Sequence, residues 1–329
     1  MQYLLNGEDL KGMRHYLVSR QWIGPDETLI SARKPGEGNM NYTIRIRTNF
    51  RTFILKQSRN YVEKYPQIPA PVDRAIIEGR FYDHIQQHAD LRRYTPEVMY
   101  MDEENSILML EDLGDSFDYT SLYQPNTGIS REDLNSLISF LNVLHHEISP
   151  DDTTTDFSNR DMRALNGEHI FRYPFMVDNG FDLDTVTKGL QTLSMEYKTD
   201  DILLKAIARL EQIYQADGPH LLHGDFYPGS WLSTLDGVKV IDPEFGFFGP
   251  AEFDLSVMIA HTYLAGLDED IRTIIQSTYV PPSGYSSSLT EGLVGVEILR
   301  RLIGLAQLPL SLSLSQKEGL MKLAKEMIV

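Results

Sequence analysis

The sequence predicts an α+β protein with two lobes, a small antiparallel-sheet lobe followed by a larger, mainly helical one. Three observations carry that class. Short runs of β-branched and aromatic residues that alternate with polar ones occur before Gly114. From about residue 130 the apolar spacing becomes helical, with Leu134, Leu137, Ile138, Leu141 and Leu144 on one face. Strands first and helices afterwards, rather than in alternation, is the order of an α+β architecture. The boundary is placed after residue 112, giving lobes 1–112 and 113–329, and no internal repeat is visible.

Taken in order, residues 8–22 place Leu10, Met13, Tyr16 and Leu17 at helical spacing, so a short amphipathic helix opens the chain. Tyr42, Ile44 and Ile46 alternate with Thr43, Arg45 and Arg47, and Thr52-Phe53-Ile54-Leu55 follows, ending at Lys56. With Asn49 between them these runs form a hairpin. Pro66, Pro69 and Pro71 make residues 65–71 a rigid connector before a helix from about Asp73 to His88. Val98–Met101 and Ile107–Leu110 form a second strand pair around the turn Asp102–Asn105, ended by Glu111-Asp112-Leu113-Gly114. Residues 149–161, rich in Asp and Thr, read as an exposed loop, and so do Pro281–Gly284 and Ser286–Ser288.

Composition sets limits. The chain has 329 residues, 42% of them hydrophobic and 10% aromatic, enough for a sizeable core. Acidic residues outnumber basic ones 47 to 30, net −17, which argues against nucleic-acid and anionic-membrane partners. The absence of cysteine excludes disulfides and thiolate sites. The N-terminus MQYLLNGEDLKGMRHYL lacks a signal-like apolar region, and no apolar run approaches the ~18 residues of a membrane span. A cytoplasmic protein acting on a small molecule is expected, with a homodimer permitted.

The stretch from Leu222 to Asp254, LHGDFYPGSWLSTLDGVKVIDPEFGFFGPAEFD, carries the chemistry. Asp225 and the pair Asp242 and Glu244 flank an apolar strand, Val238–Ile241. Phosphoryl transfer needs a carboxylate at the attacking hydroxyl, then carboxylates on the metal ions that bridge the nucleotide phosphates. The H-R-D-x-x-x-x-N pattern of protein kinases is matched by His223-Gly224-Asp225, with Ser230 where that pattern has Asn. Asp242 follows Asp225 by 242 − 225 = 17 residues, close to kinase spacing. Singly, H-G-D is a common turn triplet and Asp-Pro-Glu could be a solvated strand end. Their order and spacing together favour a small-molecule kinase that uses ATP and Mg²⁺.

On the nucleotide side, Lys34–Asn41 precedes the first hairpin, and Gly36, Gly38, Asn39 and Asn41 are the candidate phosphate-loop contacts. The bland reading is a hairpin entrance. Lys56 stands where such folds place the lysine on the α- and β-phosphates, and Glu78, 22 residues on, is its candidate partner. The segment Glu111, Asp112 and Leu113 would be the hinge, with the Glu111 carbonyl and the Leu113 amide on adenine.

HGD with IDPE resembles the aminoglycoside phosphotransferase and choline kinase superfamily, and the chain is more closely similar to the 5-methylthioribose kinase family. GEGNMN (36–41), HGDFYPGS (223–230) and DPEFGFFGP (242–250) match that family's GDGNLN-, HGDLHTGS- and DPEFAFYGP-type loops. Ser230 in place of Asn is also that family's form. Residues 56–78 resemble its lysine-to-helix region, and Glu297–Ala306 its twin-arginine helix. The resemblance implies a protein-kinase-like two-lobed fold and transfer of the γ-phosphate to a sugar hydroxyl, with Arg300 and Arg301 helping to hold the sugar. The chain departs from the pattern at Phe226-Tyr227-Pro228, which replaces Leu-His-Thr, and in a shorter region between about Gly266 and Leu293. The other readings are a kinase of the same fold for choline, ethanolamine, an aminoglycoside or homoserine, and a nucleotide-binding protein without transferase activity.

In this scheme Asp225 orients the acceptor hydroxyl and takes its proton, while Asp242 and Glu244 hold Mg²⁺. Ser230 completes a metal shell or binds a phosphate oxygen. Asp254 braces the catalytic loop through backbone hydrogen bonds, and His145 and His146 are packing or surface residues. Adjacent helix residues point about 100° apart, so Arg300 and Arg301 can face one ligand only at a bend or a helix end. Otherwise one binds the ligand and the other pairs with an acidic group.

Overall fold

The computed structural model describes residues 2–36 and 40–329. The chain divides into two compact units, Met1–Ser116 and Phe117–Val329.

In the first unit, helix α1 (Leu10–Ser19) starts at Asp9, whose side chain accepts the Gly12 N–H. The strands are β1 (Leu29–Arg33), β2 (Tyr42–Thr48), β3 (Thr52–Gln57), β4 (Tyr61–Val62), β5 (Tyr65–Pro69), β6 (Val98–Asp102) and β7 (Ile107–Glu111), with helices α2 (Arg74–Ile85) and α3 (Ala89–Arg92) before β6. Five strands form one antiparallel sheet in the order β1-β2-β3-β7-β6. Ile44, Ile46, Phe53, Leu55, Ile107 and Met109 pack with Met13, Tyr16 and Leu17 of α1 in one core. Side chains alternate across a strand, so Ile54 and Lys56 of β3 face the other side, where α2 lies.

Two elements differ from expectation. The edge strand β1 has no alternating burial, so no period-two signal marks it. The expected rigid connector 65–71 contains β5, which pairs with β4 in a separate two-stranded hairpin. Proline is tolerated there because the hairpin leaves edge positions that need no N–H donor.

In the second unit, β8 (Phe117–Asp118) precedes α4 (Arg131–Glu147), α5 (Arg160–Gly167), α6 (Leu190–Lys198) and α7 (Asp201–Gln215). Then come β9 (His220–Leu222), β10 (Trp231–Thr234), β11 (Gly237–Val240) and β12 (Phe247–Gly249). Four helices close the chain: α8 (Glu252–Leu264), α9 (Glu269–Thr278), α10 (Ser287–Ile303) and α11 (Leu314–Ile328). Helix α8 is buried at every position except Tyr263, which makes it the central helix of this unit. It packs on α10, and α11 packs on α10 in turn. Gly295 permits that second approach, because a Cβ there would lie 2.4 Å from the Ala324 carbonyl oxygen. Ser286–Ser288, expected as loop, begin α10, with the Ser286 hydroxyl capping the Leu289 N–H. Among the described residues no helix is long and apolar enough to cross a membrane.

Candidate active site

Lys56 sits on the central strand β3 of the first unit, opposite Thr43 of β2 and Leu108 of β7. Its Nζ donates to both carboxylate oxygens of Glu78 at 2.7 Å, and both side chains are buried. Gly79 lets α2 come close enough for this pair, since a Cβ there would meet Leu108 Cδ1 at 2.8 Å and Met101 Sδ at 2.9 Å. A solvated lysine is therefore not what the fold builds.

Arg74, in the first turn of α2, is fully buried, a position the sequence did not single out. Its guanidinium donates to the carbonyls of Met40 (2.8 Å) and Arg59 (2.9 Å) and to Asn41 Oδ1 (3.2 Å). Thus α2, which carries Glu78, also ties down the trailing end of the glycine loop. Gly36, in the leading part of that loop, is exposed, and the Gly38 and Asn39 expectations lie outside the described residues. At the hinge segment Glu111 is exposed and Leu113 half-buried. The Asp112 carboxylate pairs with Arg45 at 2.9 Å and accepts the Gly114 N–H at 3.1 Å.

In the second unit, strand pairing brings the two acidic loops together. Leu222 of β9 pairs with Phe247 of β12, and Trp231 of β10 pairs with Val240 of β11. Residues 223–230 and 241–246 are thereby clamped at both ends. Gly224 is pressed between them with φ +83°, and a Cβ there would sit 2.2 Å from the Phe245 carbonyl oxygen. Asp254, from α8, accepts the N–H groups of His223 (2.6 Å) and Gly224 (2.9 Å), the brace expected of it. His223 Nε2 bonds the Ile241 carbonyl at 2.9 Å and so links the loops directly. Burial lowers the His223 pKa, which leaves it neutral and able to donate from Nε2 and accept the Asp225 N–H at Nδ1. The Ser230 hydroxyl donates to the Asp225 carbonyl at 2.9 Å and closes the loop on itself.

Asp242 has left-handed backbone, φ 64°, which an aspartate tolerates better than most residues. It is half-buried, and Glu244 beside it is buried. Asn159 holds this loop from below, donating to the carbonyls of Glu244 (2.9 Å) and Gly246 (3.0 Å). Among the described residues no group of three or more acidic or histidine side chains forms a cage for a metal. Two carboxylates on one short loop suit Mg²⁺, which keeps several waters and takes its other ligands from nucleotide phosphates.

Arg300 and Arg301 lie in the last turn of α10. Their Nη2 atoms both donate to Asp225 Oδ1, at 3.4 Å and 3.2 Å. The two side chains thus converge near a helix end despite their divergent start. Glu297, one turn earlier, accepts from Arg300 Nε and from Arg301 Nε, the second at 2.8 Å. The Arg301 guanidinium also lies over the ring of Tyr227, 4.8 Å from its centroid. Phe226 points the other way and stacks on Phe140 in the core.

Two carboxylates therefore share two arginines, and their environments separate them. Burial raises the Asp225 pKa, and the longer contacts from Arg301 and Arg300 do not fully reverse it. Burial would raise Glu297 too, but Arg300, Arg301 and the His261 bond outweigh it and hold that group well below the ordinary carboxylate range. One carboxylate is poised to take a proton and the other stays charged, a division typical of acid–base sites. Glu297 went unremarked as a site residue, although its i+3 and i+4 spacing to Arg300 and Arg301 is a readable ion-pair signal.

The profile of the phosphotransferase enzyme family matches residues 31–285. The chain is 27% identical to the methylthioribose kinase of Pectobacterium atrosepticum, over 86% of this chain and 82% of that protein. It is 26% identical to the methylthioribose kinase of Exiguobacterium sibiricum, over 84% of this chain and 80% of that protein. Two solved structures share its fold. The choline kinase LicA from Streptococcus pneumoniae has TM-score 0.51 and 12% identity, covering 97% of this chain and 98% of its own. A choline/ethanolamine kinase family protein from Mesorhizobium loti has TM-score 0.51 and 14% identity, covering 96% and 93%.

Proposed function

Since this chain belongs to the phosphotransferase enzyme family, we propose that it transfers the γ-phosphate of ATP to a hydroxyl of methylthioribose or a closely related 5-substituted ribose. The observation that carries this reading is the convergence of Arg300 and Arg301 on Asp225. Counting Glu297, the cluster holds two positive and two negative groups, so its formal charge is zero. An ammonium acceptor such as choline would call for an excess of carboxylates, and an anionic acceptor for an excess of cations. A neutral polyol asks for neither, and guanidinium N–H donors suit its oxygens. The methylthioribose kinases at 26–27% identity support the same acceptor.

Asp225 orients the acceptor hydroxyl and takes its proton as the oxygen bonds to the γ-phosphorus and the bond from that phosphorus to the bridging oxygen of ADP breaks. Lys56, aimed by Glu78, contributes a charge-assisted contact to the nucleotide phosphates. Asp242 and Glu244 would hold Mg²⁺, which, when bound, neutralises phosphate charge. Arg300 and Arg301 bind the acceptor and face the developing negative charge. A cytoplasmic location and a homodimer are part of the same proposal.

The test is a coupled ADP-release screen over ribose analogues, choline, homoserine and aminoglycosides. Turnover is expected with a 5-substituted ribose. Efficient turnover of choline or an aminoglycoside with none on any ribose analogue would overturn the acceptor assignment.

A further inference from the structure

We infer that Glu297 is a positioning residue for the acceptor site, and that His261 and Tyr123 behind it set its orientation, so that one buried carboxylate aims both arginines at Asp225. The inference rests on Asp225 and the two arginines forming the acceptor site.

Consecutive residues of a helix diverge by about 100°. The position three before one of them and four before the other lies on the same face as both. Glu297 occupies that position and divides its oxygens, Oε2 taking Arg300 Nε and Oε1 taking Arg301 Nε. Held by Nε, each guanidinium turns its Nη edge towards Asp225.

Glu297 Oε1 is also 3.0 Å from His261 Nε2 on α8. A charged carboxylate has no proton to give, so Nε2 carries the hydrogen. Burial drives the His261 pKa to about 4, so the ring is neutral and its Nδ1 is bare. Nδ1 must then accept from the Tyr123 hydroxyl, 2.6 Å away. The donors run in one direction, from Tyr123 to His261 to Glu297, where they meet the donors from the arginines. Tyr123, His261 and Glu297 are 3%, 1% and 2% exposed, so water does not replace a lost partner. The neutral ring adds no third positive charge.

Steady-state kinetics on the acceptor that the wild type turns over, together with nitrogen NMR of His261, test this. Glu297→Gln is expected to raise the acceptor KM about ten- to hundredfold, the scale of a lost charge-assisted hydrogen bond, with the KM for ATP unchanged. Tyr123→Phe, which removes one hydroxyl, should raise it about two- to tenfold. In the Glu297→Gln background Tyr123→Phe should add almost nothing, because it acts through Glu297. Wild-type acceptor kinetics in Glu297→Gln, or an undiminished Tyr123→Phe effect in that background, overturns the inference. If Glu297→Gln does not fold, Tyr123→Phe and the spectra decide: Nε2 protonated with Nδ1 bare is expected, and the reverse tautomer overturns it. Because the spectra need no acceptor, a failure of the acceptor assignment leaves this test standing.

Discussion

In the first unit one lysine faces one glutamate; in the second, two arginines are shared by two carboxylates. The Lys56–Glu78 pair joins a strand to a helix, and each partner has a separate backbone to fix it. Arg300, Arg301 and Glu297 all lie on α10, so their aim depends on side chains behind them, down to His261 and Tyr123. A pair built across two elements is positioned by the fold. A cluster built on one helix has to be positioned by hydrogen bonds. Losing a supporting residue should therefore disturb the second cluster at longer range than the first.

The largest expected effect lies at the residue the second cluster converges on. Asp225→Asn should lower kcat by about two to four powers of ten, the scale of a general base, while nucleotide binding persists. Asn keeps the size but neither accepts the proton nor balances the arginines. Normal turnover in this variant would remove Asp225 as the base.

The first cluster predicts a smaller, more local loss. Lys56→Ala should weaken a non-hydrolysable ATP analogue by about 1.5–3 kcal/mol in calorimetry, the worth of a hydrogen bond to a charged group. Glu78→Gln should weaken it less, since the ammonium survives and only its aim is loosened. Equal affinity and turnover in Lys56→Ala would remove the lysine from the nucleotide site.

Sequence carried much of this, for identifiable reasons. Strand β2 and the start of β3 alternate visibly, β6 and β7 show as short apolar runs on either side of a turn, and α4 has a regular apolar face. β1 was hidden because Leu29-Ile30-Ser31-Ala32-Arg33 neither alternates nor makes an apolar run, and the β4–β5 hairpin because prolines mask it. The acidic loops were legible as motifs because phosphoryl transfer fixes which residue types sit at which spacing. Their supports were not. Arg74 looks like any helix-start arginine until the fold buries it against backbone carbonyls, and His261 and Tyr123 are 138 residues apart in the chain.

The loop that carries Asp242 and Glu244 gives a subtler comparison. Asp242→Asn and Glu244→Gln each remove an anionic oxygen from a proposed hard-cation shell, so activity should need more Mg²⁺ to half-saturate. A Mg²⁺ titration reads this, and an unchanged midpoint in both variants would leave the loop with a structural role only.

The smallest effect is a shift in a pH profile, and it distinguishes the two arginines. Burial raises the Asp225 pKa from its ordinary value, and Arg301, then Arg300, pull it part of the way back. The active form is deprotonated, so kcat/KM should fall as pH drops through the Asp225 pKa. Removing a positive neighbour makes the proton harder to lose, which moves that acidic limb to higher pH. Arg301→Met should move it further than Arg300→Met, because Arg301 is nearer, 3.2 Å against 3.4 Å, and its pull is the larger. Both substitutions should also raise the acceptor KM while leaving ATP affinity close to wild type, since the arginines are assigned to the acceptor. An acidic limb that stays in place, or moves down, would mean that the titrating group in the profile is not the carboxylate the arginines share.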